Sequence, residues 1–588
     1  MKLFPLPLVA ATITTINVDP TTDKLTDVLK SISDGAETII NLLPGTHIID
    51  EPLPLVSGLT LTGSTATSSS SVISGGESVT LTKCPGSDFP NLYCSTMSNL
   101  AANPRHLYVN GRRAGRGWIE DATPFSSPVS VDNEKYVVEA AAIESWDLDN
   151  VNNIEFVYTR QGSPWTESRC TVASVNLNGG GDGNVEVIMA NPCFTVLQRK
   201  PCGQETSTPA FIENTGASAL SAGDWFFNEH DATIMYYPLE DEKELTISGV
   251  MPVLDYLVNA LNLVDVSFSN LSFEHATYRR VNSDLGYVEQ QSGGLDDENS
   301  NCDDTGTWYA MPSNVRFEQS SNIMFANCVF QRLGAGGLEF TNGTNSSGVT
   351  GSLFTDISGA AVQIGGYQDN EETDSSKWTK KISVTNNIIR NVATELHGNA
   401  GISAGYVSQL TVERNTISDL TYSGISIGWG WSRANFTYAG KNVVKRNKIH
   451  DYKMQKPIPS AALGDGGGIY FLGPQMDSVC EENWLYNMNE AGGGGAIYPD
   501  EGSAHWRFKN NVVGNATFCI DDCEWLHLWV PSIFNITVDS TWVDTDTFED
   551  NGTNTSVTRT VNIVKENGGV WPEEAQAIMD AAGADWSV

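Results

Sequence analysis

Residues 463–508, LGDGGGIYFLGPQMDSVCEENWLYNMNEAGGGGAIYPDEGSAHWRF, decide how the rest of the chain is read. The stretch contains GGGIY and then GGAIY, with Ile469 and Ile497 at equivalent places 28 residues apart. Each copy runs glycines into a short β-prone strand. Each also carries acid beside it, Asp465 before the first strand and Asp500-Glu501 after the second. Repetition at this period is the signature of a solenoid, and carboxylates on its repeating strand are the first candidates for chemistry.

Working outward, the rhythm continues. NIMFANCVF (322–330), ISVTNNII (382–389), LTVERNTI (410–417), NVVKRNKI (442–449), VCEENWLY (479–486) and RFKNNVV (507–513) each alternate apolar residues around an asparagine. The matching asparagines are Asn327, Asn387, Asn415, Asn447, Asn483 and Asn511, the last five spaced 28, 32, 36 and 28 residues apart. A constant coil with variable turns, stacking one asparagine per coil into a hydrogen-bonded ladder, describes an all-β, right-handed parallel β-helix. Residues 12–63 hold the N-terminal cap and first coils. There Leu25, Val28, Leu29 and Ile32 mark an amphipathic helix able to plug the open end of the solenoid. Residues 64–250 lose the rhythm and read as an inserted antiparallel, β-sandwich-like domain. In it Trp165, Trp225, Tyr236 and Tyr237 are read as core or interdomain contacts ahead of a sugar platform. Residues 251–568 form the β-helix with the active groove, and 569–588 a short helix that caps or flanks it.

Composition narrows the function. With 34 basic and 71 acidic residues the chain carries a formal net charge of −37, which excludes nucleic acid and anionic membranes as partners. Ten cysteines, several close in sequence (Cys84/Cys94, Cys193/Cys202, Cys519/Cys523), and eight Asn-x-Ser/Thr sequons fit a secreted, disulfide-bonded glycoprotein. Residues 1–11 resemble a secretory signal peptide. A monomer is expected. The acidic segment 283–308 is a candidate for Ca²⁺ but lacks an EF-hand pattern and reads better as a solvated lid.

No phosphate loop or HExxH pattern occurs. What remains is acid among aromatics: Asp465, Asp500 and Glu501 as catalytic candidates, with Trp429, Trp431, Tyr470, Tyr498, His450 and His505 as substrate-binding candidates. Two carboxyls lined by aromatics suit glycosidic cleavage, one protonating the leaving oxygen while the other attacks or activates water, with no cofactor or metal required. Spacing raises an objection. With Ile469 aligned to Ile497, Asp465 lies four residues before and Asp500 three after, about 23 Å along a straight strand. Glycosidase carboxyls stand roughly 5–10 Å apart. Either Gly466–Gly468 turn the chain sharply, or the partner of Asp500 is Glu501 or Asp451.

The ordered phrases NPRHLYVNGRRAGRGW, NIEFVYTRQGSPWTESRCTV, GDGGGIYFLG, GGAIYPDEGS and WPEEA resemble glycoside hydrolase family 141 over nearly the whole chain. The resemblance implies a pectin-lyase-like fold and extracellular glycan hydrolysis of the α-L-fucosidase or endo-β-1,4-xylanase type, its acids falling on Asp465 and Asp500. Two rivals share the fold. A polysaccharide lyase or uronate epimerase needs a cation to neutralise the uronate, yet strands 401–404, 424–431, 467–473 and 495–500 carry no Arg or Lys. His397-Gly398-Asn399 only partly echoes a polygalacturonase. A glycan-binding adhesin would show Thr, Val and Asn in the groove rather than clustered acids and tryptophans.

Overall fold

The computed structural model describes residues 13–65, 70–86, 90–97, 103–119, 122–126, 128–132, 134–159, 165–199, 208–242, 246–296, 308–368, 372–430, 437–453, 463–488, 494–514, 524–545, 547–560 and 568–588. The signal-peptide residues, Trp431 and residues 297–307 of the acidic segment therefore lie outside the described residues.

Alternating apolar residues turn this chain into three columns of parallel strands. One coil supplies Val443–Lys445, Lys448–Tyr452 and Gly467–Phe471 to the first, second and third columns. The next supplies Pro474–Glu481, Trp484–Met488 and Gly495–Pro499, each pairing in parallel with its counterpart. Among the described residues the third column runs through ten strands from Val258–Leu261 to Glu549–Asp550. Inward residues stack coil on coil as Val384, Val412, Val444, Cys480 and Phe508 in the first column, Ile389, Ile417, Ile449, Leu485 and Val513 in the second, and Ile402, Ile425, Ile469, Ile497 and Leu526 in the third. All are buried, and each large aliphatic chain removed from water contributes about 1.5–3 kcal/mol. The fold is the parallel β-helix that the repeats imply.

The corner between first and second columns explains the asparagines. Asn387, Asn415, Asn447, Asn483 and Asn511 are fully buried, and the amide Nδ2 of each of the first four donates 2.9–3.0 Å to Oδ1 of the next. Each Oδ1 also accepts a backbone N–H from one coil earlier, that of Ser352 for Asn387 and that of the preceding asparagine for the other four, so polar groups that the corner would strand are satisfied. The residue before each takes a left-handed conformation, φ 53–57° at Asn386, Arg414, Arg446, Glu482 and Asn510. Asn327 departs from the expected ladder. It occupies that left-handed position itself (φ 53°), and the ladder place one residue on is filled by Cys328 and, in the next coil, Ser352, whose Oγ accepts the Cys328 N–H. Phase in this repeat is set by the corner, and an asparagine suits both of its positions.

Near the N-terminus Leu25–Lys30 forms the short helix, its Leu25 and Leu29 buried against the solenoid core. Strand Ser71–Ser74 pairs with Gly45–Ile48 and Leu271–Ala276, so the chain leaves the β-helix only after residue 74. It departs along Gly76–Lys83 and returns along Thr246–Pro252, and these two strands pair antiparallel. The inserted region builds two largely antiparallel sheets with separate apolar clusters, one around Phe125, Tyr136 and Phe156, the other around Leu81, Trp225 and Tyr236. Trp225 and Tyr236 are thus core, and Trp165 donates its indole N–H to Gln290 O at 3.1 Å. Disulfides join Cys84 to Cys94 and Cys170 to Cys193, Cys328 and Cys480 are free and buried, and Cys202, Cys519 and Cys523 lie outside the described residues.

After helix Glu573–Ala581, preceded by Pro572, the C-terminal segment lies along the side of the solenoid. Trp571 packs over Gly514, Gly583 N bonds Arg446 O, and Trp586 Nε1 bonds Asn386 O. It straps successive coils together. Among the described residues no helix is long and apolar enough to cross a membrane.

Candidate active site

Outward-pointing residues of the third column form a ladder of their own. Arg316, Glu339, Gln363, Ser403, Ser426, Tyr470 and Tyr498 stand in register on successive rungs. Tyr470 and Tyr498, the tyrosines of GGGIY and GGAIY, therefore lie side by side, ring centroids 5.1 Å apart and perpendicular.

These two rings answer the spacing objection. Asp465 takes φ 53° and Gly466 φ 135°, so the chain turns just before strand Gly467–Phe471 begins. A side chain at Gly466 would strike the Tyr422 ring and Ser423 Oγ within 3 Å, and one at Gly494 would meet Gly466 O at 2.2 Å. Glycine is required there for the turn and for the closeness of neighbouring coils. The turned-back Asp465 carboxyl hydrogen-bonds the Tyr498 hydroxyl. That hydroxyl also lies 3.5 Å from Asp500 Oδ1. Nearest oxygens of the two carboxyls are thus at most roughly 6–7 Å apart through one shared hydroxyl, within the range of glycosidase acid pairs.

Asp500 is 4 % exposed. Its Oδ2 accepts the Tyr470 hydroxyl, and its Oδ1 accepts Trp529 Nε1 at 2.7 Å. Tyr470 is fixed in turn by Gln291, whose Nε2 bonds Tyr470 at 3.1 Å and Tyr422 at 2.9 Å. Gln291 belongs to a small three-stranded sheet laid over the column, Glu289–Gln291, Gly294–Leu295 and Tyr309–Ala310. Burial and then the nearby charge of Asp465 push the Asp500 carboxyl up to about 7, against the opposing bonds from Tyr470 and Trp529. Asp465 is half-buried and also raised, first by burial. The Tyr498 bond and the charges of Lys453 and His527 draw it back, while Glu501 pushes it up. One proton shared unequally between two such groups leaves an acid beside a carboxylate at neutral pH.

Of the sequence candidates, the structure gathers Asp465, Asp500, Tyr470 and Tyr498, with half-buried Glu501 acting electrostatically on Asp465. It separates the others. Trp429 is 2 % exposed, stacked on Tyr367 at 3.8 Å and edge-on to Trp308, so it has no face left for a sugar. His450 sits on the second column, bonded to Asp451 and stacked on Tyr486; Asp451 also accepts from Asn487 and is not the partner of Asp500. His505 sits on the first column against Phe534. His397 bonds Glu167 of the inserted region, which accounts for it without any polygalacturonase role.

Trp529 was not legible as a site residue, yet the repeat contains it. Leu526 pairs with Ile497, so Trp529 stands one rung beyond Asp500 at the same offset. It is 38 % exposed, an indole with its N–H on the acid and carbon surface facing solvent. Gln291, Tyr422, Lys453 and His527 reach the acids from other coils or from the covering sheet, and no repeat pattern marks them.

No protein-family model matches the chain, nor does any curated protein. Among solved structures, one described as a glycoside hydrolase is similar over 97 % of this chain and 99 % of its own, with TM-score 0.71 and 21 % identity. XylC in complex with xylose aligns with TM-score 0.43 and 10 % identity over 85 % of this chain and 69 % of its own. A family 28 exopolygalacturonase of Yersinia enterocolitica aligns with TM-score 0.30 and 11 % identity, over 93 % and 79 %. The first likeness establishes the fold, with the inserted region included; the other two carry no argument.

Proposed function

We propose that the protein is a glycoside hydrolase cleaving a glycosidic bond in a cell-wall or matrix polysaccharide, with Asp500 as general acid and Asp465 as base or nucleophile. The observation that carries this reading is a pair of carboxyls held across one tyrosine hydroxyl, one of them buried and raised to about 7. Protonation of a leaving glycosidic oxygen needs an acid still neutral near working pH. The second carboxyl, eased by Lys453 and His527, carries the negative charge that balances an oxocarbenium-like transition state. Trp529 offers the stacking surface for a sugar ring. The resemblance to family 141 favours α-L-fucosidase or endo-β-1,4-xylanase action. The two disulfides suit an extracellular protein.

Assays of Asp500→Asn and Asp465→Asn on fucosylated oligosaccharides and on xylan test this. Each folded variant is expected to lose about 10²–10⁴ in turnover. Near wild-type rates in both sink the assignment. Products bearing an ultraviolet-absorbing unsaturated uronate would replace hydrolysis with elimination.

A further inference from the structure

The same outward face carries a cavity away from the acids. Arg316 and Glu339 border it, and Glu339 is four rungs from Tyr470 in the register ladder. At about 4.8 Å per rung that is about 19 Å. The cavity encloses about 520 Å³, the size of a small-molecule site.

Charge pairing in its walls is complete but for one group. Asp255 takes a two-pronged bond from Arg279 at 2.7 and 3.1 Å. Arg316 pairs with Glu339 and Glu318 at 3.3 and 3.1 Å. Arg280 faces the cavity with no carboxylate partner among the described residues. One of its nitrogens donates to the Tyr309 hydroxyl, and its Nε is buried with no acceptor among the described residues. Tyr278, 5 % exposed, lines the same cavity, and its buried hydroxyl has no partner among the described residues. Unmet buried donors at one cavity are what a missing ligand leaves behind. A guanidinium with no carboxylate partner among the described residues is also out of keeping with a chain of net charge −37.

We propose that this cavity binds a uronic acid unit of a glycan. One carboxylate satisfies the free N–H groups of Arg280 by the forked geometry that guanidinium favours. The Tyr278 hydroxyl donates to a ring or hydroxyl oxygen. Rings of Tyr256 and Tyr309 supply apolar surface for the C–H face of a pyranose. A single unpaired cation calls for a single negative charge, and the neighbouring polar groups call for hydroxyls around it. The site binds and does not cleave, so it stands whether or not Asp465 and Asp500 act as proposed.

Calorimetric titration of the intact chain with D-glucuronate, D-glucose and sodium sulfate tests it. Expected are saturable binding of glucuronate, at least tenfold weaker binding of glucose, at least tenfold loss in Arg280→Gln, and unchanged affinity in Asp500→Asn. Absence of glucuronate binding, equal affinity in Arg280→Gln, or loss in Asp500→Asn overturns the proposal. Sulfate binding as tightly as glucuronate reduces the cavity to a simple anion site and overturns it too. Should Arg280→Gln fail to fold, Tyr278→Phe decides, because it removes one oxygen: threefold or greater weakening supports the site and unchanged affinity overturns it.

Discussion

Two of the regions in which this molecule buries carboxyls treat them in opposite ways. Where the inserted region docks on the solenoid, Glu155, Glu167, Glu213 and Glu395 interlock with Arg105, Arg116 and Arg169. Glu155 is fully buried, and burial alone would raise it, yet Arg105, Arg169 and Arg116 outweigh that and hold it at about 2. Glu395 is likewise held well below the usual range against its burial, chiefly by Arg105 and His106. At the end of the third column Asp500 is as buried, but its hydrogen bonds come from a tyrosine and a tryptophan, and it rises to about 7. Several close guanidiniums outweigh burial and keep a carboxylate ionised, whereas neutral donors leave it able to take up and release a proton. The first arrangement is a clamp and the second a reagent, and burial alone does not tell them apart.

The clamp breaks with the larger effect. Glu155→Gln leaves Arg105 and Arg169 facing an amide, and loss of one member of a buried ion cluster costs about 3–5 kcal/mol. Denaturant unfolding of the variant checks this, with turnover of the folded fraction changing little. The clamp also has a pH signature. Since Glu155 is depressed from 4.5 to about 2, its stabilisation is full above pH 4.5 and disappears as pH falls towards 2. A variant with unaltered stability at pH 7 would mean that the insert is held by other contacts.

The reagent has the opposite sign. Asp500 is raised from 3.8 to about 7, so ionising it in the folded state costs stability progressively as pH climbs through that interval. Asp500→Asn, inactive by the proposal above, is expected to be more stable than wild type by about 1–3 kcal/mol at pH 8, once the lost acceptor is allowed for. The gain should vanish near pH 4. Melting curves at the two pH values check this, and a variant no more stable at pH 8 would mean that Asp500 is ionised at little cost.

How much of this the sequence disclosed follows from what repeats. Asn387 to Asn511 recur because each bonds the next, so their spacing exposed the coils before any coordinates did. Asp465 and Asp500 could be chosen because glycine-strand phrases flank them, and the rung alignment of Ile469 with Ile497 was correct. Their proximity was not legible. It depends on two successive positive φ angles at Asp465 and Gly466 and on the reach of the Tyr498 ring, neither of which a straight-strand estimate contains. Trp429 was misjudged for a related reason: an aromatic on a solenoid strand looks the same in sequence whether solvent or another ring covers it. Here Tyr367 and Trp308 do. The clamp stayed hidden because its members lie far apart, 289 residues for His106 with Glu395, and no periodicity connects them.

The smallest expected effect bears most directly on the difference between the two regions. Under the proposed mechanism the alkaline limb of the pH–rate profile reports deprotonation of Asp500 and should fall near 7. Tyr470 donates to that carboxyl and thereby lowers its pKa. Tyr470→Phe removes one oxygen, leaves the ring against Tyr498, and should move the limb to higher pH, with the maximal rate lower by roughly threefold to tenfold. A clamp would not respond in this way, because its acids are set by charge rather than by one neutral donor. If the limb stays in place or moves down, the proton on Asp500 is not the one spent in catalysis, and another acid at this end of the column carries it.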